Sequence, residues 1–295
     1  MRRPHLVASA AALALLAVAV REAAAANAPL GTYLRVHSWN ARHMGWSGQT
    51  NWSGYAAQVW NQFGSTSGSA NGCDLIAFQE VMYDTAPPSL CTALQSVSGF
   101  PWSHTTTVAI GRSSYKERYS IVYRTDRVTL LNTYVWNDVG DKFEREPQVA
   151  TFRVNATGAD VTFVNWHTIF GTTAERQQEI HDIADVFKGV QNASASDQDV
   201  VLLGDNNASA TSSWWSNLTS TAVVSPQVSF AVNDLTTLNS SCAYASAYDH
   251  FWMQLAYVTE YSSSGRDYVA DTCALYGISD HAPIWLKLFS SGDDD

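Results

Sequence analysis

Short runs rich in β-branched and aromatic residues, bounded by turn formers, recur along the chain and predict strands. They are Tyr33–Trp39, Leu75–Gln79, Tyr119–Tyr123, Thr129–Val135, Gln148–Val154, Asp160–Trp166, Asp199–Leu203, His250–Leu255 and Pro283–Phe289. Helical periodicity is clearest over Thr173–Val190, where Ile180, Ile183, Ala184, Phe187 and Val190 share one face. Tyr55–Phe63, Ser89–Val97 and Ser212–Leu218 predict shorter helices. Many strands with a few interleaved helices imply an α/β chain built as a four-layer sandwich: two packed, mainly antiparallel β-sheets flanked by helices.

The ends read differently from the middle. Met1-Arg2-Arg3 is basic, Leu6 to Val20 is apolar or small throughout, and Ala23 to Ala26 supplies small residues, so residues 1–26 predict a signal peptide. That run is short for a bilayer span and no later stretch is apolar for long enough. A secreted, extracellular protein without membrane insertion is expected. Residues 27–289 read as one domain, because the Gly/Ser patch from Gly64 to Gly72 is a loop rather than a linker. Residues 290–295 form an acidic, solvated tail.

Cys73, Cys91, Cys242 and Cys273 make an even count, and an exported chain is expected to pair them. Closeness in sequence favours Cys73–Cys91 and Cys242–Cys273. No CxxC pair or neighbouring histidine supports zinc instead. Asn-x-Ser/Thr triplets occur at Asn51, Asn155, Asn192, Asn207, Asn217 and Asn239. They matter only in a host that glycosylates. The formal charge of −10 argues against a passive, basic nucleic-acid binder. It suits an enzyme whose carboxylates hold divalent cations and so present a locally positive site to an anion.

Residues with catalytic capacity recur where predicted strands end. Asn40 follows the first strand, Glu80 the second and His167 the run ending at Trp166. Asp205-Asn206-Asn207 follows Gly204, and Asp280-His281 precedes the last strand. Asp and Asn are common strand caps for their own hydrogen-bonding reasons. Their recurrence over the whole chain points instead to one functional end of a rigid scaffold. Glu80 is a hard oxygen ligand for Mg²⁺ or Mn²⁺, and Asn40, Asp205, Asn207 and Asp280 can complete or orient its shell. Two histidines with carboxylate partners can then divide the proton transfers between an attacking water and a leaving oxygen. In an extended Tyr115–Tyr119, Tyr115, Glu117 and Tyr119 share a face. A lone Glu between tyrosines needs a partner, and histidine is a suitable one. Alternation also sends Asp249 and His250 to opposite faces, so His250 receives no role.

Together, Asn40, Glu80, His167, Asp205-x-Asn207 and Ser279-Asp280-His281 resemble the endonuclease/exonuclease/phosphatase superfamily. Gly111-Arg112-Ser113-Ser114-Tyr115-Lys116-Glu117-Arg118-Tyr119 resembles its deoxyribonuclease I family in particular. So does Phe143-Glu144-Arg145-Glu146-Pro147, with Asn132-Thr133-Tyr134 before it. The likeness runs from about Leu34 to Leu288. It implies a secreted endonuclease, expected as a monomer, that hydrolyses DNA with little sequence specificity, leaving 5′-phosphate and 3′-hydroxyl ends. Glu80 would be the principal metal ligand, with Asn40, Asp205, Asn207 and Asp280 around it, and Asp205 and Asn207 would also serve catalysis. His281 would be a general base oriented by Asp249, and His167 a second catalytic histidine paired with Glu117. Arg42, Tyr115 and Arg145 match positions that touch DNA, reading groove shape and phosphates more than bases. Trp39 and Trp46 are expected to pack.

Departures from that pattern carry their own expectations. Met82 stands where the family usually has Arg, removing a groove contact. Asn206 replaces Phe and would put an extra polar group beside the metal shell. Ala210 replaces a cysteine, which leaves Cys273 as the expected partner of Cys242. A small disulfide loop is shortened to Val139-Gly140. Asp138, Asp141 and Glu146 around it imply a structural Ca²⁺ site, and Asp234 with Thr236 a second, although Leu238 replaces an expected hydroxyl there. Two other readings belong to different substrates or classes. One is a sphingomyelinase-like lipid phosphodiesterase, with Trp214-Trp215 touching a membrane. The other is a catalytically silent, toxin-like or binding subunit, which predicts loss of Glu80, His167, Asp205 or His281. All four residues are present.

Overall fold

A computed structural model describes residues 33–61, 72–193 and 198–289. Among these, the strands form two six-stranded sheets. The first runs in spatial order β11 (Tyr261–Arg266), β12 (Ile284–Phe289), β1 (Tyr33–Met44), β2 (Leu75–Val81), β4 (Arg118–Arg124) and β3 (Trp102–Thr106). The second runs β5 (Val128–Val135), β6 (Gln148–Val154), β7 (Asp160–Asn165), β8 (Val200–Asp205), β10 (Asp249–Met253) and β9 (Ser229–Phe230). Neighbours are antiparallel except β1 with β2 and β7 with β8. A parallel pair needs a crossover. Helix α1 (Trp52–Asn61) supplies the first and α3 (Thr173–Ala193) the second. Helix α2 (Ala86–Ser98) joins α1, a 3₁₀ turn (Ser213–Trp215) leads into α4 (Ser216–Thr219), and α5 (Thr272–Tyr276) precedes β12.

Strand alternation sorts the side chains into layers. Leu34, Val36, Leu75, Ala77, Ile121, Phe152, Phe163, Val201, Leu203, Phe251 and Met253 fill the space between the sheets. Their neighbours point outward: Trp39, Ile76, Phe78 and Val122 pack under α1 and α2. Val164, Val200, Leu202 and Trp252 pack under α3 and α4. The expected sandwich is therefore what forms, with one parallel pair in each sheet.

Each predicted strand is present, within a few residues, and Thr173–Val190 extends to Ala193. Strands β3, β9 and β11 were not legible. Trp-Ser-His-Thr-Thr and Tyr-Ser-Ser-Ser-Gly-Arg carry few apolar residues because each lies at a sheet edge, and β9 is two residues long. Short α5 starts at an Asp271 cap whose carboxylate accepts from the Cys273 and Ala274 N–H groups, a local signal that periodicity does not register. The predicted signal peptide, the tail, Phe63 and most of the Gly64–Gly72 loop lie outside the described residues.

The cysteines require a correction. Cys242 and Cys273 are joined, but Cys73 and Cys91 are free thiols. The Cys73 sulfur is turned into the core, 3.1 Å from His37 Nδ1 and 3.3 Å from the Leu75 carbonyl, while Cys91 lies on α2. Closeness in sequence did not align the two sulfurs. Burial holds both thiols protonated, Cys91 pushed up to about 12. Trp214-Trp215 is not a membrane-facing pair either, since Trp215 is buried against Trp252 with ring centroids 4.1 Å apart and Trp214 packs on the same cluster. Among the described residues, no helix is long and apolar enough to cross a membrane.

Candidate active site

The two parallel pairs deliver their C-terminal ends to one place. Asn40 is the last β1 residue paired with β2 before the register shift, and Glu80 lies near the end of β2. His167 follows β7, and Asp205 ends β8. Register explains much of the alignment. Asn40 shares the inner face with Leu34 and Val36 and so reaches across to β8, where its Nδ2 donates to Asp205 Oδ2 at 2.9 Å. By alternation Glu80 would point outward with Phe78. Its backbone instead adopts φ +55°, in a stretch where the β1–β2 and β2–β4 registers both shift, and the carboxylate turns back to the site. Glu80 Oε1 then accepts from the same Asn40 Nδ2 at 3.0 Å, and Oε2 from the His43 N–H at 3.1 Å. Arg42, His43 and Asn207 also have left-handed backbones. Such residues persist only where their surroundings over-determine them.

Gly204 brings the second pair together. Its φ is +137°, and a Cβ there would lie 1.9 Å from the Trp166 carbonyl oxygen. Only glycine lets β8 pass that close to the end of β7, so that Thr168 N–H can donate to the Asp205 carbonyl at 3.0 Å.

Two histidine–carboxylate dyads converge on Asp205. His167 Nδ1–H donates to Glu117 Oε1 at 2.8 Å, and His281 Nδ1–H donates to Asp249 Oδ2 at 2.8 Å. Their Nε2 atoms lie 3.6 and 3.5 Å from a single atom, Asp205 Oδ2. Glu117 is fully buried, and Arg145 Nε stands 3.2 Å from its Oε1. Burial by itself would raise the Glu117 pKa, but His167 and Arg145 outweigh it and hold the carboxyl below its usual range. Burial likewise disfavours the His167 imidazolium, and Glu117 more than reverses this, raising its pKa against the opposing charge of Arg145. For His281, burial is overcome by Asp249 and then Asp205, and the pKa rises to about 10.

Carboxylates crowd the space beside the dyads. Two groups of three potential ligands lie within 4.8 Å of one another, Glu80 with Glu117 and His167, and Asp205 with Asp249 and His281. In each group a histidine and a carboxylate are already hydrogen-bonded, so the dyads are better read as proton-handling pairs than as cages. Glu80 and Asp205 remain, bridged by the Asn40 amide, with Asp280 two-fifths exposed nearby and 3.8 Å from Arg42 Nε. This excess of hard anionic oxygens fits a divalent cation of the Mg²⁺ or Mn²⁺ type. Asn207 braces the set, its N–H on Asp205 Oδ1 and its Nδ2 on the Thr168 carbonyl. Its burial leaves no room for a glycan.

The cavity above holds about 610 Å³ and is lined by Arg42, His43, Tyr115 and Phe170 besides the groups just described. Arg42 stacks on Tyr276 at 4.7 Å and donates to its carbonyl. Arg145, expected as a DNA contact, lines the cavity while 6% exposed and paired with Glu117 and with the His167 and Thr168 carbonyls. Its first task is to hold a dyad. Trp39 packs as expected, its Nε1 donating to the His281 carbonyl, whereas Trp46 is left 36% exposed beside His43.

The other residues singled out in the sequence take the following places. Asn206 points away from the metal shell, into the outer layer, where its Oδ1 accepts from Trp252 Nε1. His250 spans the Val232 and Ala208 carbonyls inside the core, away from the dyads. At the first expected calcium site the acids have protein partners. Asp138 accepts from the Phe143 N–H, and Asp141 pairs with Arg112 at 3.1 Å. At the second suggested site, Asp234 accepts from the Arg266 N–H, and Thr236 Oγ1–H donates to Asp249 Oδ2 at 2.6 Å. Sequence reading missed Thr236 as a positioning group. It also missed Tyr119, whose hydroxyl accepts from the His167 N–H, and Glu179 on α3, which accepts from Glu144 and Ile169 on the loops flanking His167. Only Tyr119 carried a signal, through its shared face with Glu117.

A deoxyribonuclease from Thioalkalivibrio sp. is 28% identical over 96% of this chain and 76% of its own length. Deoxyribonuclease-1-like 1 of Cricetulus griseus is 36% identical over 48% of this chain, and that of Homo sapiens 34% over the same share. The chain is similar to proteins named deoxyribonuclease. It spans about half the length of the mammalian relatives it matches, 46% in both cases. No family model matches the chain. An endonuclease/exonuclease/phosphatase family protein from Bacteroides thetaiotaomicron superposes with TM-score 0.60 at 16% identity, covering 87% of this chain and 95% of that chain. The human Nocturnin catalytic domain gives 0.60 at 15% identity over 86% and 93%. A mannosyl-6-phosphatase from the same Bacteroides species gives 0.55 at 15% identity over 87% and 100%. The fold is thus that of the endonuclease/exonuclease/phosphatase proteins, a scaffold that also carries phosphatases, so the fold alone does not choose a substrate.

Proposed function

We propose that this chain is a secreted, divalent-metal-dependent endonuclease that hydrolyses DNA phosphodiester bonds with little sequence preference, leaving 5′-phosphate and 3′-hydroxyl ends. The observation that carries it is the approach of two differently supported imidazoles, 3.6 and 3.5 Å, to one oxygen of Asp205. In-line displacement at phosphorus needs a base on one side and a proton donor on the other. In its neutral form, His281, steered by Asp249, takes a proton from water as the new oxygen–phosphorus bond forms. His167, whose charged form is favoured by Glu117, gives one to the O3′ as the phosphorus–O3′ bond breaks. Glu80, with Asn40, Asp205, Asn207 and Asp280, would hold the cation, which supplies charge neutralisation at the phosphate when bound. Homology to deoxyribonucleases supports DNA as the substrate. The lipid-hydrolase alternative loses its membrane contact with the burial of Trp215.

Supercoiled plasmid and sphingomyelin, each offered with Mg²⁺, with EDTA and to the His281→Ala variant, test the reading. Plasmid nicking is expected with Mg²⁺ only, falling at least ~100-fold in the variant, the usual scale for loss of a proton-transfer group. Intact plasmid after incubation with the unaltered enzyme, or nicking that survives His281→Ala, would sink it.

A further inference from the structure

Helix α3 begins beside the cavity, and its first turn carries a cation that the helix itself does not call for. Phe170, on the loop between His167 and α3, lines the cavity and is 73% exposed. The chain then enters α3 through a capping box, in which the Thr172 N–H donates to Glu175 Oε2 at 2.7 Å and the Glu175 N–H to Thr172 Oγ1 at 3.3 Å. Arg176 follows, its guanidinium carbon 5.7 Å from the centroid of the Phe170 ring. The N-terminal end of a helix is the positive end of its dipole, so a cation in the first turn is disfavoured there.

Other arginines around the cavity face a carboxylate. Arg42 stands beside Asp280, Arg112 beside Asp141 and Arg145 beside Glu117. Arg176 pairs with no carboxylate among the described residues, and its Nε–H is buried without an acceptor. The acids nearest it on α3 are engaged elsewhere: Glu175 with Thr172, and Glu179 with the Glu144 and Ile169 N–H groups. What remains is a positive charge held against a ring at the edge of the cavity, with hydrogen-bond donors that the protein leaves unused. A guanidinium is a planar fork that matches the oxygens of a phosphate, and an aromatic face keeps that fork oriented. A cation held at Glu80 and Asp205 would take the reacting phosphate, which leaves a neighbouring one for Arg176. Contacts of that kind set the register of a nucleic acid and carry no sequence information, in keeping with a weakly selective enzyme.

We infer that Arg176, laid on Phe170, is a positioning residue that grips a non-scissile phosphate of the substrate at the His167 side of the cavity. This rests on the nuclease reading above and concerns the polymer rather than the reacting phosphate.

Arg176→Ala, Arg176→Lys and Phe170→Ala would be compared with the unaltered protein, with Arg153→Ala as the control. Arg153 pairs with Asp160 at the end of β7 away from His167, so its loss changes the net charge equally without touching the cavity. Anisotropy of a labelled duplex oligonucleotide, at fixed low Mg²⁺ over a range of KCl, measures binding apart from cleavage when each substitution is placed in the His281→Ala protein. Arg176→Ala is expected to weaken binding roughly tenfold and to lower the slope of log affinity against log salt by up to ~0.9, the contribution of one phosphate contact. In plasmid nicking the loss should fall on KM, with kcat little changed. Arg176→Lys should keep the slope but recover only part of the affinity, since an ammonium supplies the charge without the fork. Phe170→Ala should also keep the slope and weaken binding less than Arg176→Ala, and Arg153→Ala should match the unaltered protein. A salt slope unmoved by Arg176→Ala overturns the grip and leaves the nuclease standing, because a merely structural arginine would weaken binding alike at every salt concentration. Duplex bound with an Arg176-dependent slope but never cut by the unaltered enzyme would overturn the nuclease and keep the grip. Neither binding nor cutting overturns both.

Discussion

Each catalytic group in the proposed mechanism is tuned by the company it keeps. His281 sits between two carboxylates, and they raise its pKa to about 10 although burial opposes the charge. Unfolded histidine titrates near ~6.5. A pKa higher in the folded state means that folding binds a proton more tightly, so this stabilisation is full below about pH 6.5 and is lost as pH rises towards 10. Metal-free protein should therefore show a melting temperature that falls across that window, and Asp249→Asn, which removes the largest raising partner, should flatten the fall. A cation at Glu80 and Asp205 adds positive charge beside the imidazole, so an NMR titration of His281 should give a lower pKa with Mg²⁺ than with EDTA. An unchanged value in the two conditions would place the cation elsewhere. At this scale the sequence was informative where a residue's chemistry and its strand position agreed. Asn40, His167, Asp205 and His281 stood at strand ends, and Glu117 shared a face with two tyrosines. Thr236 was illegible as a positioning group, because its link to Asp249 joins residues thirteen apart through a loop whose path no local pattern specifies. Arg145 was legible as a site residue but not as a buried partner of Glu117, since burial is decided by the packing of both sheets.

Between residue and fold, the parallel pairs β1–β2 and β7–β8 do most of the positioning. Both were readable as strand, helix, strand, because the helical face of Thr173–Val190 is strong and the flanking strands are apolar. What periodicity could not give is how closely β7 and β8 approach, which is set by one backbone. At Gly204 the Trp166 carbonyl occupies the space a side chain would need, 1.9 Å from the Cβ position. Gly204→Ala must therefore push β8 from the end of β7 or force a new backbone angle at the residue before Asp205. Steric and conformational strain of this kind costs a few kcal/mol, of order ~3 or more where backbone rather than a side chain is struck. The expected outcome is a lower midpoint in urea and nicking reduced far beyond the loss in stability, because His167 and Asp205 shift relative to each other. A variant with unaltered midpoint and rate would show that β7 and β8 tolerate the separation. Edge strands β3 and β11 illustrate the opposite case. They carry little apolar signal since each lies at a sheet edge.

Across the whole molecule, the site is assembled from segments as far apart in sequence as Asn40 and His281, so its precision depends on how the last third of the chain is held. Thr236–Leu238 is stitched to Asp280–Ala282 by backbone hydrogen bonds, Leu238 N–H to the Asp280 carbonyl and Ala282 N–H to the Thr236 carbonyl. The Cys242–Cys273 bond ties this same segment to α5, just ahead of Ser279-Asp280-His281. A loop closed over 31 residues restrains the unfolded chain by roughly 3–4 kcal/mol on the loop-entropy account. For a domain of this size that corresponds to a melting temperature lower by roughly 7 °C once the bond is lost. The double variant Cys242→Ser, Cys273→Ser should show that drop by calorimetry. Because the bond lies on the His281 side of the site, its loss should loosen the Asp249–His281 dyad before the Glu117–His167 dyad. Amide hydrogen exchange can separate the two, with protection lost first in residues 236–249 and 279–282 while residues 117–119 and 166–168 stay protected. Uniform loss of protection over both dyads would mean that the two sheets yield together and that the bond stabilises the molecule without any preference for one half of its site.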